Sequence, residues 1–254
     1  MQIDDGAVKR ITFDRPDVYN AMTTDVAAEL ADAFGDLDPG THDAAVITGQ
    51  GDAFSAGGDI DSMAERDWTT AEAYERVQAT FGRVAENALS APVPIVAKVN
   101  GDAVGAGLSL VAVSDFAYAA ESARFGASFV NVGLIPDMGA TAILPHLIGL
   151  RKTKELAFTG ELIGADEAAA MDLVNETVPD DELDARVDGL VETLRSKPTA
   201  NVGLAKEAIH DSLGQQWRDG LQREAALQSL AYDTPAHEEG VAAFREGRTP
   251  EFDR

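Results

Sequence analysis

Two short segments rich in small residues are the parts of this chain best suited to chemistry. They are Phe54-Ser55-Ala56-Gly57-Gly58-Asp59-Ile60 and Asn100-Gly101-Asp102-Ala103-Val104-Gly105-Ala106-Gly107. Small residues let a ligand approach backbone N–H groups. Two such loops can aim two N–H donors at one oxygen, which is what an oxyanion hole requires. Mere tight turns would use the same residues, and the pattern alone leaves both readings open. Rival chemistries fit poorly. Gly105-Ala106-Gly107 has the setting of a dinucleotide fingerprint, but the third glycine would fall at Leu110. There is no phosphate-binding GxxxxGK[ST] motif and no GxSxG nucleophile elbow. His42, His146, His210 and His237 lack zinc-site spacing, so no metal site is expected. Cysteine is absent, which excludes thiol catalysis and disulfides and suits a reducing, cytoplasmic setting.

The elements that must hold these loops can be read from periodicity. Ala7 to Phe13 alternates like a strand. Thr23 suits the N-cap of a helix reaching about Leu37, with Val26, Leu30, Ala33, Phe34 and Leu37 on one face. Ala44–Thr48, Pro94–Val99 and Phe116–Ala120 read as strands. Thr70–Leu89 and Leu108–Val113 read as helices. Strands alternating with helices predict an α/β domain over residues 1–195. From Pro198 only helical patterns remain: Val202–Leu213, Trp217–Leu230 and Pro235–Phe244. Residues 196–254 therefore read as a helical C-terminal region.

Composition narrows the partners. The formal net charge is −24, with 44 acidic residues against 20 basic ones. Only six of the basic residues are lysine. Such a surface repels itself in dilute buffer and is tolerated where counterions screen it, so we read it as adapted to a salty cytosol. It disfavours nucleic acid and anionic lipid. No apolar run is long enough to span a membrane, and the acidic Met1–Val8 stretch is unlike a secretory signal.

Several segments, in order along the chain, resemble the enoyl-CoA hydratase/isomerase (crotonase) family. Arg15-Pro16 with Asn20-Ala21-Met22 resembles its RPxxxNAL opening. Phe54–Ile60 resembles AF(S/A)AGxDI, and Val99–Gly107 resembles VNGxAxGxG. Phe125-Gly126 with Gly133-Leu134-Ile135-Pro136 resembles FGxPExxxGxxP, and Glu239–Phe244 resembles EGVxAF. The resemblance implies a ββα spiral core and a C-terminal trimerisation region, in a homotrimer or a hexamer made of two trimers. It implies an acyl-CoA thioester substrate, with no cofactor beyond the coenzyme A moiety. The thioester oxygen would sit between the backbone N–H groups of Gly58 and Ala106. Ser55, Ala56, Asp59 and Ile60 would line the substrate side of the first loop, with Asp59 shaping the loop rather than reacting. Arg245 and Arg248 are the nearest substitutes for a phosphate-binding lysine, whose family position is Gly247 here.

The family's hydratases use two glutamates to orient water and deliver a proton. At those positions this chain has Ser109 and Phe129. One carboxylate remains, Asp137 in Leu134-Ile135-Pro136-Asp137-Met138-Gly139. This pattern resembles the 1,2-epoxyphenylacetyl-CoA isomerases, and some Δ3,Δ2-enoyl-CoA isomerases place a glutamate there. The resemblance thus implies an isomerase using Asp137; Phe129 and Met138 read either as core or as an apolar wall at the substrate site that would raise its pKa. The structural alternative makes Asp137 the N-cap of a helix over Met138–Leu147.

Overall fold

A computed structural model describes residues 1–65 and 67–252. Strands β1 (Gln2–Asp5), β2 (Val8–Phe13), β3 (Ala44–Gly49), β5 (Ile95–Val99), β7 (Phe116–Ala120) and β10 (Glu176–Val178) form one sheet in the order β1-β2-β3-β5-β7-β10. Only β1 is antiparallel to its neighbour. Strands β4 (Ala53–Ser55), β6 (Asp102–Val104), β8 (Arg124–Gly126) and β9 (Ile163–Gly164) form a second sheet. The pairs β3/β4, β5/β6 and β7/β8 each feed one strand to each sheet, so the chain winds as a spiral.

A parallel sheet covered on both faces calls for strands that are apolar throughout. In β3, Ala45 and Ile47 join the main core while Ala44 and Val46 join a second core. Helix α1 (Thr24–Gly35) closes the main core with Leu30 and Phe34. It starts where expected, at Thr23, whose side chain accepts from the Val26 N–H. Helix α2 (Ile60–Ala64) follows the first glycine-bearing loop. The single helix predicted over Thr70–Leu89 is α3 (Thr70–Val77), a π-helical turn over Gln78–Gly82, and α4 (Arg83–Ser90). Helix α5 (Ala106–Val113) is buried at all eight positions. Helices α6 (Ala140–Leu147), α7 (Gly149–Thr159) and α8 (Ala165–Ala170) follow. Helix α9 (Leu183–Arg195) covers the second core with Leu183, Val187, Val191 and Leu194. Periodicity missed β1, β10 and all four strands of the second sheet, which are too short to show alternation.

After Arg195 the described chain is helical: α10 (Thr199–Asp211), α11 (Trp217–Tyr232) and α12 (Pro235–Glu246). Helix α10 is fastened to the core through buried Lys206. Its Nζ donates to the carbonyls of Ala88 (2.8 Å) and Val93 (3.3 Å) and pairs with Asp115 at 2.7 Å. Burial pushes the Lys206 pKa down, and the Asp115 carboxylate opposes that shift. On α11 and α12, Leu221, Leu230, Val241 and Phe244 face outward, whereas Leu227 is buried within its own chain. No helix among the described residues is long and apolar enough to cross a membrane.

Candidate active site

The first loop is pinned by the segment before α1. The Met22 N–H donates to the Gly57 carbonyl at 2.7 Å, and the Met22 carbonyl accepts from the Asp59 N–H at 2.9 Å. This is a one-residue parallel bridge between Met22 and Gly58. In a parallel bridge the residue between the two bonded groups turns its own N–H away from its partner. Gly58 is that residue, and its N–H has no hydrogen-bond partner among the described residues.

The second donor arises from helix geometry. Gly105 caps α5 at φ 55° and ψ −121°, the mirror image of ordinary extended backbone. A Cβ forbids that conformation, so glycine is needed there. Ala106 follows as the first helical residue. An N–H at that position has no intrahelical acceptor, and the helix dipole adds positive potential. The alanine standing where the family usually has glycine is helical, so it can present its N–H normally. The two loops touch. A Cβ added to Gly57 would lie 2.7 Å from the Val104 carbonyl oxygen and 3.1 Å from the Ala106 nitrogen.

The remaining residues of the first loop divide by direction. Ala56 and Ile60 are exposed at its rim. Ser55 is fully buried; its Oγ donates to the Asn20 carbonyl at 2.9 Å and accepts from the Gly57 N–H at 3.2 Å. Asp59 is buried too. One oxygen accepts from the Ser62 N–H at 2.9 Å, capping α2, and the other pairs with Arg15 at 2.8 Å. The Ser62 amide, and after it Arg15, holds the Asp59 pKa below the usual carboxylate value. Both side chains are thus committed to holding the loop, which for Asp59 agrees with the expectation that it shapes the loop rather than reacting. A residue that sequence reasoning missed is Met63 on α2. Its terminal methyl packs on Gly58, where an added Cβ would lie 2.3 Å from it. No spacing rule links residues 58 and 63 across a helix start.

Asp137 is not the helix cap. Helix α6 starts at Ala140, and Gly139, at φ 84°, takes the N-cap position without side-chain help. The Asp137 Oδ1 is buried and has no hydrogen-bond partner among the described residues. Burial pushes the Asp137 pKa up to about 6, opposed only by a hydrogen bond to its own backbone. Next to it, Met138 holds φ 49°, a left-handed conformation that costs a non-glycine residue energy. Met138 and Phe129 are both buried. Ser109 is fully buried, and its hydroxyl donates back to the Gly105 carbonyl at 3.3 Å.

Sequence matching supplies the context. The chain matches the family described as enoyl-CoA hydratase/isomerase over residues 4–254. The chain belongs to the enoyl-CoA hydratase/isomerase family. It is 37% identical over 247 residues to a probable enoyl-CoA hydratase of Rhodobacter capsulatus, covering 95% of this chain and 93% of that one. It is 30% identical over 247 residues to the 1,2-epoxyphenylacetyl-CoA isomerase of Escherichia coli, covering 96% and 94%. The crystal structure of an enoyl-CoA hydratase from Mycobacterium smegmatis superposes with a TM-score of 0.91 at 32% identity, over 98% of this chain and 97% of that chain. The crotonase fold and an acyl-CoA-handling enzyme are therefore shown for this family member.

The two arginines considered for coenzyme A differ. Arg248 forms ion pairs with Glu239 and Glu246, which raise its pKa further, and Glu239 also accepts from the Glu251 N–H at 2.8 Å. Its guanidinium therefore braces the end of α12 while staying partly exposed. Arg245 makes no ion pair among the described residues and lines a groove with Phe244 and Val241. Arg245→Gln should weaken coenzyme A binding several-fold at fixed salt, whereas Arg248→Gln should lower the melting temperature and leave that affinity nearly unchanged. Isothermal titration and thermal melts check both, and the reverse pattern would exclude the assignment.

Proposed function

We propose that this protein isomerises an enoyl-CoA with Asp137 as its single acid/base group. The observation that carries this reading is a partly buried carboxyl, one of whose oxygens (Oδ1) is buried with no hydrogen-bond partner among the described residues and whose pKa burial pushes up to about 6, in a chain with serine and phenylalanine at the two hydratase glutamate positions. A base is most effective with its pKa near the working pH. In the proposed step the Asp137 carboxylate takes a proton from the carbon beside the thioester carbonyl. The electron pair moves onto the thioester oxygen, where the Gly58 and Ala106 N–H groups hold the enolate. Asp137 then returns the proton further along the conjugated system, and the double bond has moved with no change in mass. The substrate is an aliphatic 3-enoyl-CoA or a phenylacetyl-CoA-derived ring.

Hydration by relocated groups is the second reading. The name of the Rhodobacter capsulatus relative favours it. Incubation with 3-enoyl-CoA and 2-enoyl-CoA, followed by ultraviolet absorbance and product mass, separates the alternatives. Isomerisation changes the absorbance at constant mass, hydration adds one water, and a non-catalytic thioester binder changes neither.

The assay belongs in molar salt. With −24 per chain, repulsion between exposed charges reaches about 30 Å at 0.01 M salt but about 3 Å at 1 M. The outward Leu221, Leu230 and Phe244 support a trimer or a pair of trimers. Light scattering should show that assembly in molar salt and its loosening in dilute buffer. A monodisperse monomer at high salt would refute it.

A further inference from the structure

We propose that Asn20 is a positioning residue for the oxyanion hole, a buried amide that aims the Gly58 N–H through the Met22 bridge. The inference rests on the reading of Gly58 as a thioester donor.

Asn20 is 1% exposed and holds φ 58°, the left-handed region that asparagine tolerates better than most residues. Its side chain uses both ends. Oδ1 accepts from the Arg15 N–H at 3.0 Å, while Nδ2 donates to the carbonyls of Gln50 (3.0 Å) and Ala53 (2.8 Å). Gly49 leaves room for that amide, since a Cβ there would lie 2.7 Å from Nδ2. One side chain thus ties the loop before α1 to the strand-to-strand turn that leads into the first glycine-bearing loop.

The backbone around Asn20 grips that loop at successive points. The Tyr19 carbonyl accepts from Ala56, the Asn20 carbonyl from the Ser55 hydroxyl, and Met22 bonds on both sides of Gly58. These contacts occupy the groups flanking Gly58 and leave its own N–H directed away. The orientation of that donor is therefore set by where residues 19–22 lie, and Asn20 fixes them from 30 and 33 residues away in sequence. An oxyanion hole works because its donors need no reorganisation during reaction. A clamp of this kind supplies such rigidity without touching the substrate.

The test uses Asn20→Asp, which keeps the shape, the left-handed backbone and the acceptor for Arg15 but loses both donated bonds. Ser55→Ala removes the hydroxyl bonds to the Asn20 backbone carbonyl and from the Gly57 N–H, and tests the same clamp from the loop side if the first variant does not fold. The readouts are turnover, the dissociation constant of butyryl-CoA, and the infrared stretch of its thioester carbonyl when bound. In the wild type that stretch should move to lower wavenumber than in free butyryl-CoA. In folded Asn20→Asp, much of the shift should be lost and kcat should fall about 10–10²-fold, below the full cost of deleting a donor. Ser55→Ala should show the same pattern more weakly, and butyryl-CoA affinity should change little in either. Folded variants with wild-type carbonyl shift and turnover would overturn the role of Asn20 alone. A wild type that leaves the carbonyl unshifted would overturn the oxyanion-hole reading and this inference together.

Discussion

Asp137→Asn should lower the isomerisation rate by about 10²–10⁴-fold, the usual worth of general acid–base catalysis, while leaving the fold as stable or more stable at pH 8. Both halves follow from one fact. The carboxyl is partly buried, its Oδ1 has no hydrogen-bond partner among the described residues, and its pKa is raised from 3.8 to about 6. A raised carboxylate pKa means that the folded state binds the proton more tightly than the unfolded chain. Below pH 3.8 both states are protonated and folding carries no penalty from this group. As pH rises to about 6 and beyond, ionisation costs the fold increasingly, up to about 3 kcal/mol. Asparagine cannot ionise, so the variant should gain stability relative to wild type as pH rises and lose that advantage near pH 4. Because no helix is capped by this side chain, no offsetting loss is expected. In the wild type, kcat/KM for a 3-enoyl-CoA should climb with pH through a midpoint near 6, as the base ionises. Paired rate and melting measurements at pH 4 and 8 check this. A folded variant with near-normal rates would remove Asp137 from the mechanism.

Ala106→Pro should cost at least 10²–10³-fold in turnover, the effect of removing one oxyanion donor, with α5 retained. Proline is normally disruptive in a helix, but Ala106 is the first helical residue, where a missing N–H breaks no intrahelical bond and the fixed φ suits the helix. The preceding Gly105 is extended in mirror image, which avoids the α conformation that proline disfavours before it. The substitution removes the donor and puts a ring carbon where the thioester oxygen would rest. Activity should fall with little change in circular dichroism or melting temperature. Ala106→Gly, which keeps the N–H, should retain most of the rate. If the proline variant turns over normally, the oxyanion must be held elsewhere.

The features legible from residue order alone are local. The apolar run of β3 and the stripe of α1 follow from backbone periods, and Thr23 capped its helix as its type predicts. The ordered motifs from Arg15 to Phe244 led to the family, and they pointed to Gly58 and Ala106 because a glycine-dependent turn and a helix start are short-range features. Tertiary structure decided what depends on neighbours distant in sequence. Whether Ser55 and Asp59 face substrate or the loop interior depended on Asn20 and Arg15. The cap of α6 passed from Asp137 to Gly139 because Met138 adopts a left-handed turn, and the resulting carboxyl pKa reflects desolvation by surrounding groups. Arg248 pairs with Glu239, nine residues earlier, a contact that needs the turn after α12. Periodicity and motif spacing describe one stretch of chain at a time, whereas burial, ion pairing and the aim of an amide are set by segments that only folding brings together.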